Sequence, residues 1–533
     1  MRRLVVTASL VAACCAHAQA AESIHLKAYP QKFRTFYNTT DPSVPERVKQ
    51  APEPVASGDF TCMAVASDGA RWLGMRSGVV REDPAAETLD RRQYFAGRRY
   101  LPDDNVRNLA PDNTGGMWVR TRTGVSHIEM RPMTLEQKAA YFDERIHQRH
   151  DRYGLVASSK LKAPGDVSTN QLVPSDNDGL WTAIYAASQC FRYAATGSPE
   201  ALAHARASID AVLYLESVTG RPGFPARSYI RRGDYRESDG VWHWTADGLY
   251  EWKADTSSDE IIGHFFLYSV AWDLLDDQEL RQHIRATVTR IADHILEHGY
   301  NLTDVTGRPT TWGRWSREYF DSRAGAPDSA LNSLELLSLL KTAAHITGDA
   351  KYEAEYRKAA LDLKYLEQTT RLLELTHEIN YSDEELAVLS FYPVWTYERD
   401  PQFLDFYRRA MDEWWQNIRR EKNPLWTLIY LQSKPPGPVD LAGAIWILYR
   451  IPMDLIEWTV RNSGRHDVTI DRRRGRFREA QSTLLLAPDE RPVMKWNGNP
   501  FQVDGGNAGR TEDDGSFFLL PYWMGRYFGL LSK

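Results

Sequence analysis

Four stretches in the second half of this chain repeat one plan, a helix, a tight turn and a second helix, and that repetition limits the folds open to it more than any other feature. They are residues 180–215, 260–296, 331–366 and 383–415, each with apolar residues recurring at helical spacing. The turns between paired helices (Thr196-Gly197-Ser198, Leu275-Asp276-Asp277, Thr347-Gly348-Asp349 and Glu398-Arg399-Asp400) carry the punctuation that stops one helix and starts the next. The connections between hairpins are long and aromatic instead: 220–257, 300–329 and 371–382. More helix is expected over 424–463, another long excursion over 464–515, and a final apolar helix from Ser516. Short turns at one end and long loops at the other describe an α/α toroid of five to six hairpins, with the long loops framing one mouth. An open solenoid needs neither the irregular period nor the long connections. From about residue 176 onward there is almost no strand signal.

The N-terminal part is organised differently. Arg2 and Arg3, the apolar run Leu4 to Ala13, and Ala18-Gln19-Ala20 form an export signal over 1–20, with cleavage expected after Ala20. A lipobox-like Val11-Ala12-Ala13-Cys14 offers lipid anchoring at Cys14 as the rival outcome. No later segment reads as transmembrane. Residues 21–57 form an irregular lead-in. Within 58–132, FTCMAVASDGARWLGMRSGVVRED (60–83) and VRNLAPDNTGGMWVRTRTGVSHIE (106–129) repeat a turn, a Trp, a strand, a Thr/Ser-Gly-Val and another strand, with Trp72 and Trp118 in matching positions. The two units resemble the repeats of two-component-regulator propellers, although the second has Arg120 where the first has Gly74. Two units do not close a propeller, so a small β module packed on the larger domain is expected. Residues 133–170 read as a helical connector into a toroid over 171–533. The plan of that toroid resembles the six-hairpin glycosidase superfamily, bacterial exported enzymes with an (α/α)6 fold. The resemblance implies activity on glycans, often with inversion, but it rests on no diagnostic motif and transfers no catalytic residue.

Several functional classes drop out. A net charge of −6 supplies no basic field for nucleic acid. The export signal holds Cys14 and Cys15, which leaves Cys62 and Cys190 as isolated thiols in different domains. No Cys/His spacing matches a zinc motif, the Gly-rich stretch 492–518 does not match an EF-hand, and no metal or cofactor is expected. G-x-S-x-G, Walker, Rossmann and H-E-x-x-H signatures are lacking.

Chemistry is sought where helices start at the mouth, because those starts are acidic. Asp178 opens one helix; Asp255, Asp259 and Glu260 precede or open the next. Asp383, Glu384 and Glu385 open a third, in an SDEE run that helix capping alone explains. Acids followed at once by Leu180-Trp181 or Ile261-Ile262 should be partly buried, which raises their pKa and suits a general acid. Glycosidic cleavage needs two carboxylates flanking the bond, so Glu260 or Asp259 is expected as acid, Asp178 as base and Asp255 in reserve. His264, one turn after Glu260, is expected to orient a carboxylate or bind a hydroxyl. Trp242, Trp244, Trp252, Trp312, Trp315 and Arg314 in the long loops, with Asn332, Trp496 and Asp504, are the expected sugar-binding groups, since sugar faces stack on aromatic rings. The polar residues of 492–518, among them Lys495, Asp513 and Asp514, suit a loop folding over the mouth. The expected partner is an oligo- or polysaccharide. A polysaccharide lyase drawing on His264, Tyr268, Asn332 and Arg314, and a non-catalytic glycan binder, are the alternatives.

Overall fold

The helix Pro401–Ile418 (α9) shows how sequence becomes packing here: Phe403, Tyr407, Ala410, Met411, Trp414, Trp415 and Ile418 are its buried residues, one stripe at helical period, with charged residues on the other face. The helix Ser258–Leu274 (α4) has no such stripe, and every residue from Glu260 to Ala271 is buried, so it must be covered on all sides. These are the two kinds of helix in the molecule. The computed structural model describes residue 24 and residues 26–50, 58–371 and 379–532. The expected export signal and Cys14 lie outside the described residues.

Twelve helices of eight residues or more are present among the described residues. They are α1 (Leu135–Arg149), α2 (Asp178–Thr196), α3 (Pro199–Ser217), α4 (Ser258–Leu274), α5 (Gln278–Glu297), α6 (Ser329–Thr347), α7 (Ala350–Arg357), α8 (Tyr381–Tyr397), α9 (Pro401–Ile418), α10 (Pro424–Gln432), α11 (Leu441–Arg450) and α12 (Ser516–Tyr527). The even-numbered helices pack on one another in sequence, α2 on α4, α4 on α6, and so on to α12, which returns to α2. The odd-numbered helices form a second layer: α3 on α2, α5 on α4 and α6, α7 on α6, and α11 on α10. The Trp395 indole of α8 points its N–H at the Met411 sulfur of α9, 3.2 Å away. The sixth outer position is filled from the N-terminal side by α1, whose Phe142 meets Phe518 of α12 edge to face at 5.1 Å.

The expected turns are present. Gly197 and Gly348 end α2 and α6 with positive φ, a backbone shape that glycine adopts freely. Ser198, Asp277, Asp349 and Asp400 cap the following helices through their side chains. The expectation of almost no strands beyond residue 176 is corrected. The long loops carry small antiparallel sheets, including Ser228–Arg231, Tyr250–Lys253 and Trp242–Trp244 in one sheet and Asn301–Thr303 with Pro309–Arg314 in another. Strands this short leave too few alternating positions to register as a period. No helix among the described residues is long and apolar enough to cross a membrane.

The two sequence repeats give two antiparallel four-stranded sheets. One contains Phe60–Val65, Arg71–Met75, Gly78–Glu82 and Arg92–Phe95; the other contains Val106–Pro111, Met117–Thr121 and Val125–Met133, completed by the N-terminal strand Tyr29–Tyr37. Trp72 pairs with Ala64 and Arg81, and Trp118 with Ala110 and His127, so the registers match. Cys62 and Cys190 are free thiols.

A buried ion network fastens these sheets to the helices. Arg450 of α11 reaches Asp489 (2.8 Å), Glu490 (3.0 Å) and Asp90 (2.9 Å), while Lys32 pairs with Asp489. The Tyr100 hydroxyl donates to Asp489, and the Tyr94 N–H donates to Glu490. Burial alone would raise the Asp489 pKa, but the charges of Arg450 and Lys32 outweigh it and hold the carboxyl below its ordinary range. Asp489→Asn leaves two buried cations short of their partner and should cost about 3–5 kcal/mol in urea unfolding at neutral pH. A depressed carboxyl stabilises the fold above its unfolded pKa near 3.8 and loses that contribution as pH falls through the lower folded value. The variant should therefore show a shallower acid loss of stability than the wild type.

Candidate active site

The even-numbered helices begin at one end of the array, and an acid stands at or beside nearly every start: Asp178 on α2, Asp259 on α4, Asp328 before α6, Asp383 on α8, Glu421 before α10 and Asp514 before α12. Their surroundings separate structural acids from chemical ones.

Asp178 belongs to the structure. It is fully buried, ion-paired to Arg152 at 2.5 Å, and accepts hydrogen bonds from Ser228 Oγ (2.5 Å), Ser175 Oγ (2.7 Å) and the Ser175 N–H (3.1 Å). Arg152 also donates to the Tyr229 carbonyl, so the group joins α2 to a loop strand. A carboxylate so enclosed has no face left for a water, and the expected general base is not available here. Glu260 and His264 are fully buried too, with Glu260 Oε2 3.6 Å from His264 Nε2. Burial, reinforced by the charge of Asp178, raises the Glu260 pKa well above normal, and burial pushes His264 down to about 3. The pair is therefore neutral, and Gly179 lies directly over it. Asp255 holds the hairpin 309–314 by accepting from the Thr311 N–H (2.8 Å) and hydroxyl (2.9 Å).

Most of the expected sugar-binding groups turn inward. Trp252 is buried, Trp315 is buried with its indole N–H donating to Glu335 at 2.8 Å, and Trp496 packs on Trp426 with centroids 5.5 Å apart. Asn332 donates to the Arg314 carbonyl, the Arg314 guanidinium lies 4.3 Å above the Tyr319 ring, and Asp504 accepts from the Asn462 and Ser463 N–H groups. Trp242 is half-buried beneath Arg236. Trp244 and Trp312 remain more than half exposed. The loop tryptophans thus mainly plug loops onto the helices, since apolar area gains more from burial than from display.

The geometry collects a different set. Asp259 is half-exposed in the first turn of α4. Its charge acts on Asp383 and Glu385 in the first two turns of α8, and on Glu335 of α6. Burial first, then like charges including Asp259, brings Asp383 to about 6; burial and the same charge bring Glu385 to about 8. Glu384 lies beside Glu421, and burial together with that second carboxylate raises it strongly. Lys495 links these acids to the excursion 492–514. It sits 3.9 Å over the Trp181 ring and 3.0 Å from Asp514, and its charge lowers the pKa of Glu385. Trp181, Lys495, Asp513 and Asp514 line a cavity of about 510 Å³, with His150 and Ser159 on its wall. Burial, with Glu457 and Asp514 nearby, raises Asp513 to about 7.

Capping alone does not account for SDEE. Asn380 is the residue before α8, and Glu384 and Glu385 are buried, with no hydrogen bond to Glu385 Oε1 among the described residues. The signal was the sequence that follows them, apolar on every face, which marks a helix buried from its first turn.

No family model matches this chain, and no curated protein does. Solved structures similar to it include two sugar epimerases. One is a sugar epimerase from a ruminal bacterium, at 12% identity and a TM-score of 0.36, covering 73% of this chain and 98% of the other. The second is the cellobiose 2-epimerase of Spirochaeta thermophila DSM 6192, at 13% identity and 0.36, covering 74% and 97%. At this level of likeness no residue role is transferable.

Gly179→Ala tests the Glu260–His264 seal. In an ordinary helix this change gains about 1 kcal/mol. Here a Cβ would stand 1.9 Å from Glu260 Oε2 and 2.8 Å from His264 Nε2. The expected result is a net loss of about 1–3 kcal/mol in thermal or urea unfolding; a gain would show that the pair gives way.

Proposed function

We propose that this chain is an exported glycoside hydrolase on an (α/α)6 toroid, with Asp383 as general acid and Asp259 as the base that activates water. The observation that carries the reading is the shared field of these two acids, which open different inner helices at the same mouth. Asp383 is raised to about 6 by burial and by neighbouring carboxylates, so it holds a proton under mildly acidic conditions, while Asp259 stays half-exposed beside it. Acid-assisted departure of a sugar requires a carboxyl that holds its proton and a second carboxyl group that can reach water. The cavity beside Trp181 and Lys495 supplies an adjoining subsite with one aromatic face and flanking polar groups. Glu385, raised to about 8, holds its proton where the acid works, so the negative field on Asp383 comes from Asp328 and Asp259.

The lyase alternative loses its base. His264 and Tyr268 are completely buried, and Asn332 is bound to a backbone carbonyl. A base must reach the proton it removes.

The test is reducing-end release across a panel of neutral and acidic glycans, read together with absorbance of unsaturated uronides. Asp383→Asn and Asp259→Asn should each lower kcat by roughly 10²–10⁴ with the fold intact. Wild-type activity should decline as pH rises through about 6, where Asp383 gives up its proton. Asp259→Asn removes a like charge, lowers the Asp383 pKa and should move the alkaline limb of the remaining activity to lower pH. Inversion, implied by the family resemblance, is read from the anomer first released. Uronide absorbance would establish a lyase, binding without turnover a glycan receptor, and loss confined to Asp513→Asn would move the acid to the cavity wall.

A further inference from the structure

On the side of the molecule where α1 lies against the first hairpin, two imidazoles and a carboxylate converge from segments far apart in sequence. His147 Nε2 of α1 and His204 Nδ1 of α3 are 3.0 Å apart, and His204 Nδ1 is 3.4 Å from Asp143 Oδ2. All three ligand atoms lie within 4.8 Å of one another. Two ring nitrogens at such a distance repel unless something positive sits between them, either a proton or a metal ion. Zinc–nitrogen bonds of 2.0–2.1 Å at the tetrahedral angle put neighbouring ligand atoms about 3.3–3.4 Å apart, close to what is found here.

We propose that Asp143, His147 and His204 bind a zinc-class transition-metal ion that ties α1 to α3. The groups around them are arranged as an outer shell. Asp143 Oδ1 accepts from the Tyr185 hydroxyl (2.7 Å) and Gln189 Nε2 (3.0 Å), and Oδ2 faces His204; the Tyr185 hydroxyl also stands 2.9 Å from His147 Nε2, a contact the ion would replace. Asp151 Oδ2 stands 3.8 Å from His147 Nδ1, on the side away from His204, where a carboxylate orients a metal-bound imidazole and keeps its proton on Nδ1. The side chain of His147 is 34% exposed, so the fourth position opens to water. Arg192 donates to Asp143 Oδ2 at 2.9 Å and weakens the site, but its second amino group is engaged by Glu200 at 2.6 Å. Two carboxylates therefore share one guanidinium. Histidine with carboxylate suits zinc over calcium or magnesium. Sequence spacing gave no metal motif because α2 separates the two contributing helices. The ion would tie two neighbouring outer helices, α1 and α3, and so brace the helix that covers α12.

The experiment uses the full mature chain, stripped with chelator and titrated with Zn²⁺ by calorimetry, with Co²⁺ as a spectroscopic stand-in. Expected are one equivalent bound, the intense visible absorption of four-coordinate Co²⁺, and a rise in Tm with Zn²⁺. Binding should vanish in His147→Gln and His204→Gln, and weaken about 10–100-fold in Asp151→Asn. No uptake by the wild type, or uptake unchanged in the double histidine variant, overturns the proposal and leaves a shared proton between the rings. Should the histidine variants misfold, the Asp151→Asn affinity and the wild-type Co²⁺ spectrum decide.

Discussion

Six largely apolar helices bury themselves only if the last comes back to the first, and everything at the mouth depends on that return. Helices such as α4, apolar on all sides, have no face to give to water. They must be covered by two inner neighbours and an outer helix, and α2 obtains its second inner neighbour only when α12 arrives from the end of the chain. The outer helix that covers α12 comes from the N-terminal side, where α1 packs on it. Local hairpin contacts can form early, whereas this long-range closure bears the loop entropy of the intervening chain.

Closure also decides the electrostatics. Gathering six helix starts at one end brings acids that would be ordinary first-turn residues on separate helices into a common, poorly hydrated field. On an isolated helix, an acid in the first turn is favoured by the dipole by less than about 1 kcal/mol. Packed together they raise one another, and the fold answers in three ways. Asp178 is neutralised by Arg152, Glu260 stays protonated over His264, and Asp383 and Glu385 stay raised although the charges of Arg476 and Lys495 act against the shift. Uncompensated burial of this kind is costly, and it concentrates at sites whose chemistry uses it.

The hairpins, their turns and the matched β repeats were legible because each is a local pattern: a stripe at helical period, a Gly or Asp at a turn, two tryptophans in equivalent registers. Acids at helix starts were legible as a class. Their roles were not. Nothing in SDNDG says that Arg152 and Ser228 will enclose Asp178, because both partners come from other elements. SDEE reads as capping until the helix behind it is seen to be buried on all sides. The loop tryptophans misled for a similar reason, since an aromatic in a loop has the same sequence signature whether it faces a ligand or plugs the loop onto a helix. The strands in those loops were missed because a strand of three or four residues has no measurable alternation.

The β sheets acquire a role from where their anchor falls. Asp489 and Glu490, which hold Arg450 and receive Lys32 and Tyr94 from the sheets, stand just before the stretch 492–514 that carries Lys495. At its far end Glu512 takes a bidentate pair from Arg149 of α1, at 2.7 and 2.8 Å. A glycine-bearing loop of this length would otherwise sample many conformations at about 1–2 kcal/mol of backbone entropy per residue fixed. Clamped at both ends by buried ion pairs, it keeps Lys495 over Trp181 and within the field of Glu385. The N-terminal sheets and α1 therefore bear on the mouth without lining its acidic floor: they fix the ends of the segment that sets its charge.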